Sequence, residues 1–266
     1  MAVVEKKRLR GRPKSFYDKK EQNRIQSLDR ALDVLDCLTQ KPGLTLTEVA
    51  ETLEQSPATI YRILSTYENR SVVEMDQTSQ EWFIGAESFR LGSAYLRRAG
   101  IVERARPLMR ELMQETGETA NLGVEVATEV MFISQVETHA NIRAFFPPGV
   151  KSPMHASGIG KALLAHCDMP KIEKYLGQDA LEVFTPNTLS DREQLRAELV
   201  RIKTQGYAFD NEEKSIGMRC VAAPIFNFYG EAIAGISISG PAIRLPLDAI
   251  EEASKLVMDK AALLSG

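Results

Sequence analysis

The 266-residue chain is short of several things, and each shortage excludes something. No stretch approaches the ~18 consecutive apolar residues that a membrane-spanning helix needs, so no membrane segment is expected. Its 3 cysteines (Cys37, Cys167 and Cys220) are odd in number and far apart. They argue against a disulfide framework and for a reducing, cytoplasmic setting. Its 3 histidines (His139, His155 and His166) show no C-x-x-C or H-x-x-x-H spacing, so neither a metal nor a cofactor is expected. The basic N-terminus has no apolar run behind it and does not read as a secretory signal. Internal repeats are absent too. What is present is ordinary for a globular protein, 44% apolar and 26% charged residues, enough for one large domain or two smaller ones.

The net charge of −3 hides an asymmetry. Residues 1–20 carry a local charge of +6, from Lys6, Lys7, Arg8, Arg10, Arg12, Lys14, Lys19 and Lys20 against Glu5 and Asp18. Residues 21–90 carry −6. Positive charge concentrated at one end reads as an arm that seeks a polyanion. Residues 1–22 lack apolar periodicity and are expected to be flexible. Their core, Arg10-Gly11-Arg12-Pro13-Lys14, resembles an AT-hook, in which arginines enter the narrow minor groove of A·T-rich DNA.

Helical periodicity starts near Ile25. Leu28, Leu32, Leu35 and Leu38 form a stripe, with Ser27 as the expected N-cap and Pro42-Gly43 as the stop. A short helix follows Thr45. A third opens at Ser56-Pro57, with Ile60, Ile63, Leu64 and Tyr67 on its buried face. Residues 72–75 and 81–84 flank a polar turn and read as a hairpin. Three short helices and a hairpin make a winged helix-turn-helix over residues 23–85. The outward face of its third helix presents Ser56 at the start, then Ala58, Thr59, Tyr61, Arg62 and Ser65. Short polar residues and an arginine there suit the major groove. The −6 balance of the segment supports the alternative of a winged module that contacts protein, which the basic arm answers in part, and DNA binding is the favoured reading.

Residues 86–100 read as a linker helix, and 101–266 as a second domain that opens with a further helix over 101–116. Strands are expected at 119–126, 129–137, 140–146, 206–212, 219–227 and 231–239. Helices are expected at 157–167, 169–176, 191–205 and 245–263. Runs of consecutive strands predict a mainly antiparallel sheet with segregated helices, a two-layer α+β domain. Glycines at 158 and 160 leave the first-turn amides of a helix approachable, with Ser157 as cap; those amides suit a carboxylate. A tight strand-to-helix junction explains the same residues. Ser237 and Ser239 share one face of a strand, and with Asp210 and Cys220 could form a small polar pocket beside that helix start. Solvent-facing serines are the alternative. Gly235-Ile236-Ser237-Ile238-Ser239 nearly matches a nucleophile elbow, which leaves open a small hydrolase acting on a keto acid through Ser237 or Cys220. No histidine base is well placed for it, and no catalytic residue is assigned.

Four segments together resemble the IclR family of bacterial transcriptional regulators: Ser27 to Leu32, Ser56 to Leu64, His155 to Ala165, and Gly235 to Gly240 after Cys220 to Ile225. The resemblance implies an N-terminal winged domain, a linker helix and a GAF-like effector domain. It implies a non-enzymatic repressor or activator, acting as a homodimer or tetramer on a palindromic operator in double-stranded DNA and answering to a small carboxylic acid. The glyoxylate- and keto-acid-sensing subgroup is similar in using main-chain amides, an aspartate, a cysteine and two strand serines. Gly158, Ile159, Asp210, Cys220, Ser237 and Ser239 are the matching positions, which implies a two- or three-carbon acid.

Overall fold

A computed structural model describes residues 25–177 and 180–266, so the basic arm with Arg10 and Arg12 lies outside the described residues. The chain divides into two compact units, one ending at Tyr95 and the other beginning at Leu96.

The first unit runs α1 (Gln26–Gln40), β1 (Leu44–Thr45), α2 (Leu46–Thr52), α3 (Pro57–Glu68), β2 (Val73–Met75) and β3 (Glu81–Ile84). Local chemistry explains most of these boundaries. Thr45 and Glu48 form a reciprocal capping box on α2, with Thr45 N–H donating to Glu48 at 2.8 Å. Ser56 caps α3 by accepting from Thr59 N–H at 3.2 Å, with Pro57 in the first turn. Asp76 accepts from the amides of Thr78 and Ser79, which closes the turn of the wing. The antiparallel sheet has the order β1-β3-β2; its short third strand, β1, was not anticipated. Val34, Leu38, Val49, Ile60, Leu64 and Trp82 fill the core.

Two expectations for α1 are corrected. Ser27 does not cap it; the helix begins at Gln26, with the cap position at Ile25, two residues before Ser27, and no side-chain cap. Leu28 and Leu32 remain 58% and 57% exposed, because the core of this unit lies under the second half of the helix, at Val34, Cys37 and Leu38.

Helix α4 (Ala86–Ala99) is followed by Gly100, in the left-handed region at φ +60°, and α5 (Ile101–Thr116). The second unit continues β4 (Thr119–Val126), β5 (Glu129–Val136), β6 (Lys151–Pro153), α6 (Gly158–Leu164), α7 (Met169–Leu176), α8 (Arg192–Gln205), β7 (Ala208–Asn211), β8 (Met218–Phe226), β9 (Ala232–Pro241) and α9 (Ile250–Leu264). One antiparallel sheet has the order β6-β5-β4-β9-β8-β7. The fold is mixed α+β, as expected.

The expected strand at 140–146 does not form. That segment is irregular, and β5 pairs instead with Lys151–Pro153. Pro147 and Pro148 cannot donate to a ladder. Phe146 stacks on Phe132 at 4.8 Å between ring centroids, which turns the segment over the sheet instead of along its edge.

The two-layer expectation is also corrected, since helices cover both faces. Helices α5 and α9 pack with Leu122, Val221, Ile236 and Ile238 in one core. Helices α6, α7 and α8 pack with Val130, Phe132 and Ala222 in the other. Alternation along β9 therefore buries both of its faces, with Ile236 and Ile238 against one layer and Ser237 and Ser239 toward the other.

Candidate functional site

Strand register builds the site. Asp210 on β7 lies opposite Cys220 on β8, and Cys220 lies opposite Ser239 on β9. Residues directly opposite share a sheet face, so the three side chains form a row. One step along, Ala222, Ser237 and Asn121 form the next. Helix α6 starts over these rows, and its approach is close. A Cβ at Gly158 would sit 2.7 Å from Cys220 Sγ, and one at Gly160 would sit 2.4 Å from the Met154 carbonyl oxygen. Glycine at 158 lets the helix start touch β8, and glycine at 160 lets it pack against the Met154 backbone just before it. Ser157 caps the helix by accepting from Gly160 N–H at 3.3 Å. The amides of Gly158 and Ile159 fall outside the helical ladder.

Between helix start and sheet lies a cavity of about 20 Å³, on a measure in which one water needs ~10–15 Å³. All six residues picked out from the sequence line it: Gly158, Ile159, Asp210, Cys220, Ser237 and Ser239. Phe132, Phe146, Ser152 and Lys214 line it too. The serines do not face solvent. Ser239 Oγ accepts from Asn121 Nδ2 at 3.3 Å, and Asn121 accepts in turn from Gln135 at 2.9 Å. Ser237 Oγ is buried with no hydrogen bond of good geometry inside the protein. A buried hydroxyl in that state costs free energy until something bonds to it.

A charged group backs the cavity. Lys161, wholly buried in α6, donates to the Phe209 carbonyl oxygen at 2.7 Å and to Glu213 at 2.5 Å. Burial pushes the Glu213 carboxyl up to about 7, against the pull of Lys161. Burial likewise raises Asp210, with Lys161 and the Glu213 amide opposing; that amide donates to Asp210 at 2.8 Å. Lys161, Glu213, Lys214 and Asn121 were missed by sequence reasoning. The apolar run Ala162 to Ala165 after Lys161 was a signal that this lysine lies inside.

Hydrolytic chemistry has no support here. Burial pushes the Cys220 thiol up to about 11, far from a reactive thiolate. His155 is held between Tyr175 OH at 3.0 Å and the Glu182 carbonyl oxygen at 2.9 Å. Burial keeps its pKa below the ordinary value, as suits a neutral structural histidine. His166 is bonded to the Ala162 carbonyl oxygen. Among the described residues, no three His, Cys, Asp or Glu side chains are grouped to hold a metal ion, and no helix is long and apolar enough to cross a membrane.

In the first unit, α3 exposes Ser56, Ala58, Tyr61 and Arg62, with Thr59 and Ser65 half-buried. Ser56 and Thr59 also bond to each other at 2.9 Å. The row therefore offers Arg62 and Tyr61 as its long, exposed groups, beside the Ser56 hydroxyl that caps the helix and the Thr59 hydroxyl bonded to it.

A helix-turn-helix unit with a wing, joined in one chain to an antiparallel sheet domain with a small polar cavity, is the architecture of a ligand-responsive DNA-binding regulator. Two family models match: the IclR helix-turn-helix domain over residues 27–77, and the bacterial transcriptional regulator IclR C-terminal domain over residues 93–265. The chain is 51% identical over 261 residues to the HTH-type transcriptional regulator BhcR of Paracoccus denitrificans, covering 97% of this chain and 94% of that one. It is 35% identical to the transcriptional repressor IclR of Escherichia coli, covering 95% and 93%. The crystal structure of Thermotoga maritima IclR superposes with a TM-score of 0.72 at 31% identity, over 91% of this chain and 98% of that one. The chain belongs to the IclR family of transcriptional regulators, which bind DNA and are not enzymes.

Proposed function

We propose that this regulator represses or activates its targets under the control of a two- or three-carbon keto acid, with glyoxylate the best fit. The observation that carries the reading is the buried Ser237 hydroxyl, without a hydrogen bond of good geometry, in a small cavity lined by all six matching residues. The amides of Gly158 and Ile159 take the carboxylate, Ser237 and Ser239 bond its oxygens, and Asp210 accepts from the hydrated aldehyde. Cys220 forms the floor. The test is a thermal-shift screen of two- to six-carbon acids. Stabilisation by glyoxylate that disappears in D210A and S239A supports the reading; stabilisation only by larger acids, or by none, overturns it.

The DNA-facing assignment is Arg62, Tyr61, Thr59, Ser65, Ala58 and Ser56 in the major groove, with Arg10 and Arg12 of the arm in the minor groove. Removing residues 1–22 should flatten the salt dependence of binding, because that dependence follows the number of phosphates neutralised. The exposed Leu28 and Leu32 of α1, and Phe89 and Leu91 of α4, support a homodimer or tetramer. Such an assembly would act on a palindromic operator in the cytoplasm. For the acid to act, it must bind one arrangement of the assembly better than another.

A further inference from the structure

Only one of the residues that line the cavity carries a cationic side chain, and no motif marked it: Lys214. It follows Glu213 in the short connection from β7 to β8. Its ammonium rests over the Phe184 ring, 3.3 Å from the centroid. Lys161, wholly buried where Lys214 is half-buried, is already used by the Phe209 carbonyl oxygen and Glu213. A carboxylate entering beside Asp210 therefore meets a buried acid, two serines and main-chain amides, none of which brings a positive charge. Near a desolvated carboxylate, dipoles alone leave an anion poorly compensated.

We propose that Lys214 selects an anionic effector by moving its ammonium from the Phe184 ring onto the ligand's carboxylate. The inference rests on the small-acid reading above. An aromatic face satisfies a cation only in part, since the three N–H donors gain no acceptor there. A carboxylate offers charge and acceptors together, and such charge-assisted bonds are shorter and stronger than neutral ones. Burial lowers the pKa of Lys214 while Glu182, Asp210 and Glu129 oppose the shift, so an incoming anion also relieves a cation that is held at a cost. On this account a neutral ligand of similar shape gains nothing from Lys214.

Calorimetric titration of the full chain with glyoxylate and with uncharged glycolaldehyde tests this. K214M should weaken glyoxylate binding about 10- to 100-fold, the usual worth of a hydrogen bond to a charged group. Glycolaldehyde affinity should stay within about 3-fold, less than one ordinary hydrogen bond is worth. Equal glyoxylate affinity in wild type and K214M, or equal losses for both ligands, overturns the role of Lys214 while the small-acid reading stands. A wild-type protein that binds neither ligand overturns both. K214Q, which keeps a polar tip, is the second variant should K214M fail to fold, and the same comparison applies to it.

Discussion

The contact between Gly158 and Cys220 offers a sharp test of how the site is built. In Gly158→Ala, the new methyl would stand 2.7 Å from Cys220 Sγ and 3.3 Å from Ala222 Cβ. Carbon contacts are optimal near 3.5–4.0 Å, so α6 must lift from β8 by roughly 1 Å. Overpacking of this kind costs about 1–3 kcal/mol. For a unit of this size, each kcal/mol lowers the melting temperature by about 2–4 °C. G158A should therefore melt about 2–12 °C below wild type. Cys220→Ala removes the sulfur and leaves Ala222 as the tightest neighbour. In that background the same glycine change should cost under about 1 kcal/mol, and the cycle should show a coupling of about 1–2 kcal/mol. Circular dichroism melts of the four proteins measure it. Trp82, the chain's 1 tryptophan, lies in the core of the other unit, and its fluorescence follows that unit separately. An equal drop in both backgrounds would mean that helix and strand are not in contact through these residues, and the account of the site would fall.

Other outcomes follow from the same structure. Glu213, pushed up to about 7, is favoured in its protonated form by the folded state. Stability should then decline as pH rises from about 4.5 toward 7. E213Q should flatten that decline, as pH-dependent melts would reveal; a steeper slope would refute it. Cys220, near 11, should alkylate about 100-fold more slowly than an unperturbed thiol at pH 8 in the native state and at the normal rate in urea, as followed by peptide mass mapping. Arg244 makes a two-pronged ion pair with the buried Glu118, at 2.5 and 2.7 Å. R244A should cost about 2–4 kcal/mol by stranding that carboxylate, and E118Q in the same chain should recover part of the loss. Arg62→Ala should weaken operator binding by about 1–3 kcal/mol in gel retardation; unchanged affinity would favour a protein-contacting wing.

Local chemistry made much of this molecule legible in one dimension. Ser56-Pro57, Thr45 with Glu48, and the alternating Ile and Ser of β9 announce their structures because the interactions that decide them span only a few residues. Position along the chain could not reveal which strands are neighbours. The row from Asp210 through Cys220 to Ser239 exists because β7, β8 and β9 pair in one register, and pairing is settled by burial on both faces at once. The failed strand at 140–146 and the exposed Leu28 and Leu32 have the same origin: β propensity and helical periodicity state a preference, and the packing partner decides. Lys161 and Lys214 show it most clearly. Composition places a lysine in water, and only the assembled layers put one ammonium against Glu213 and the other over Phe184 beside a small polar cavity.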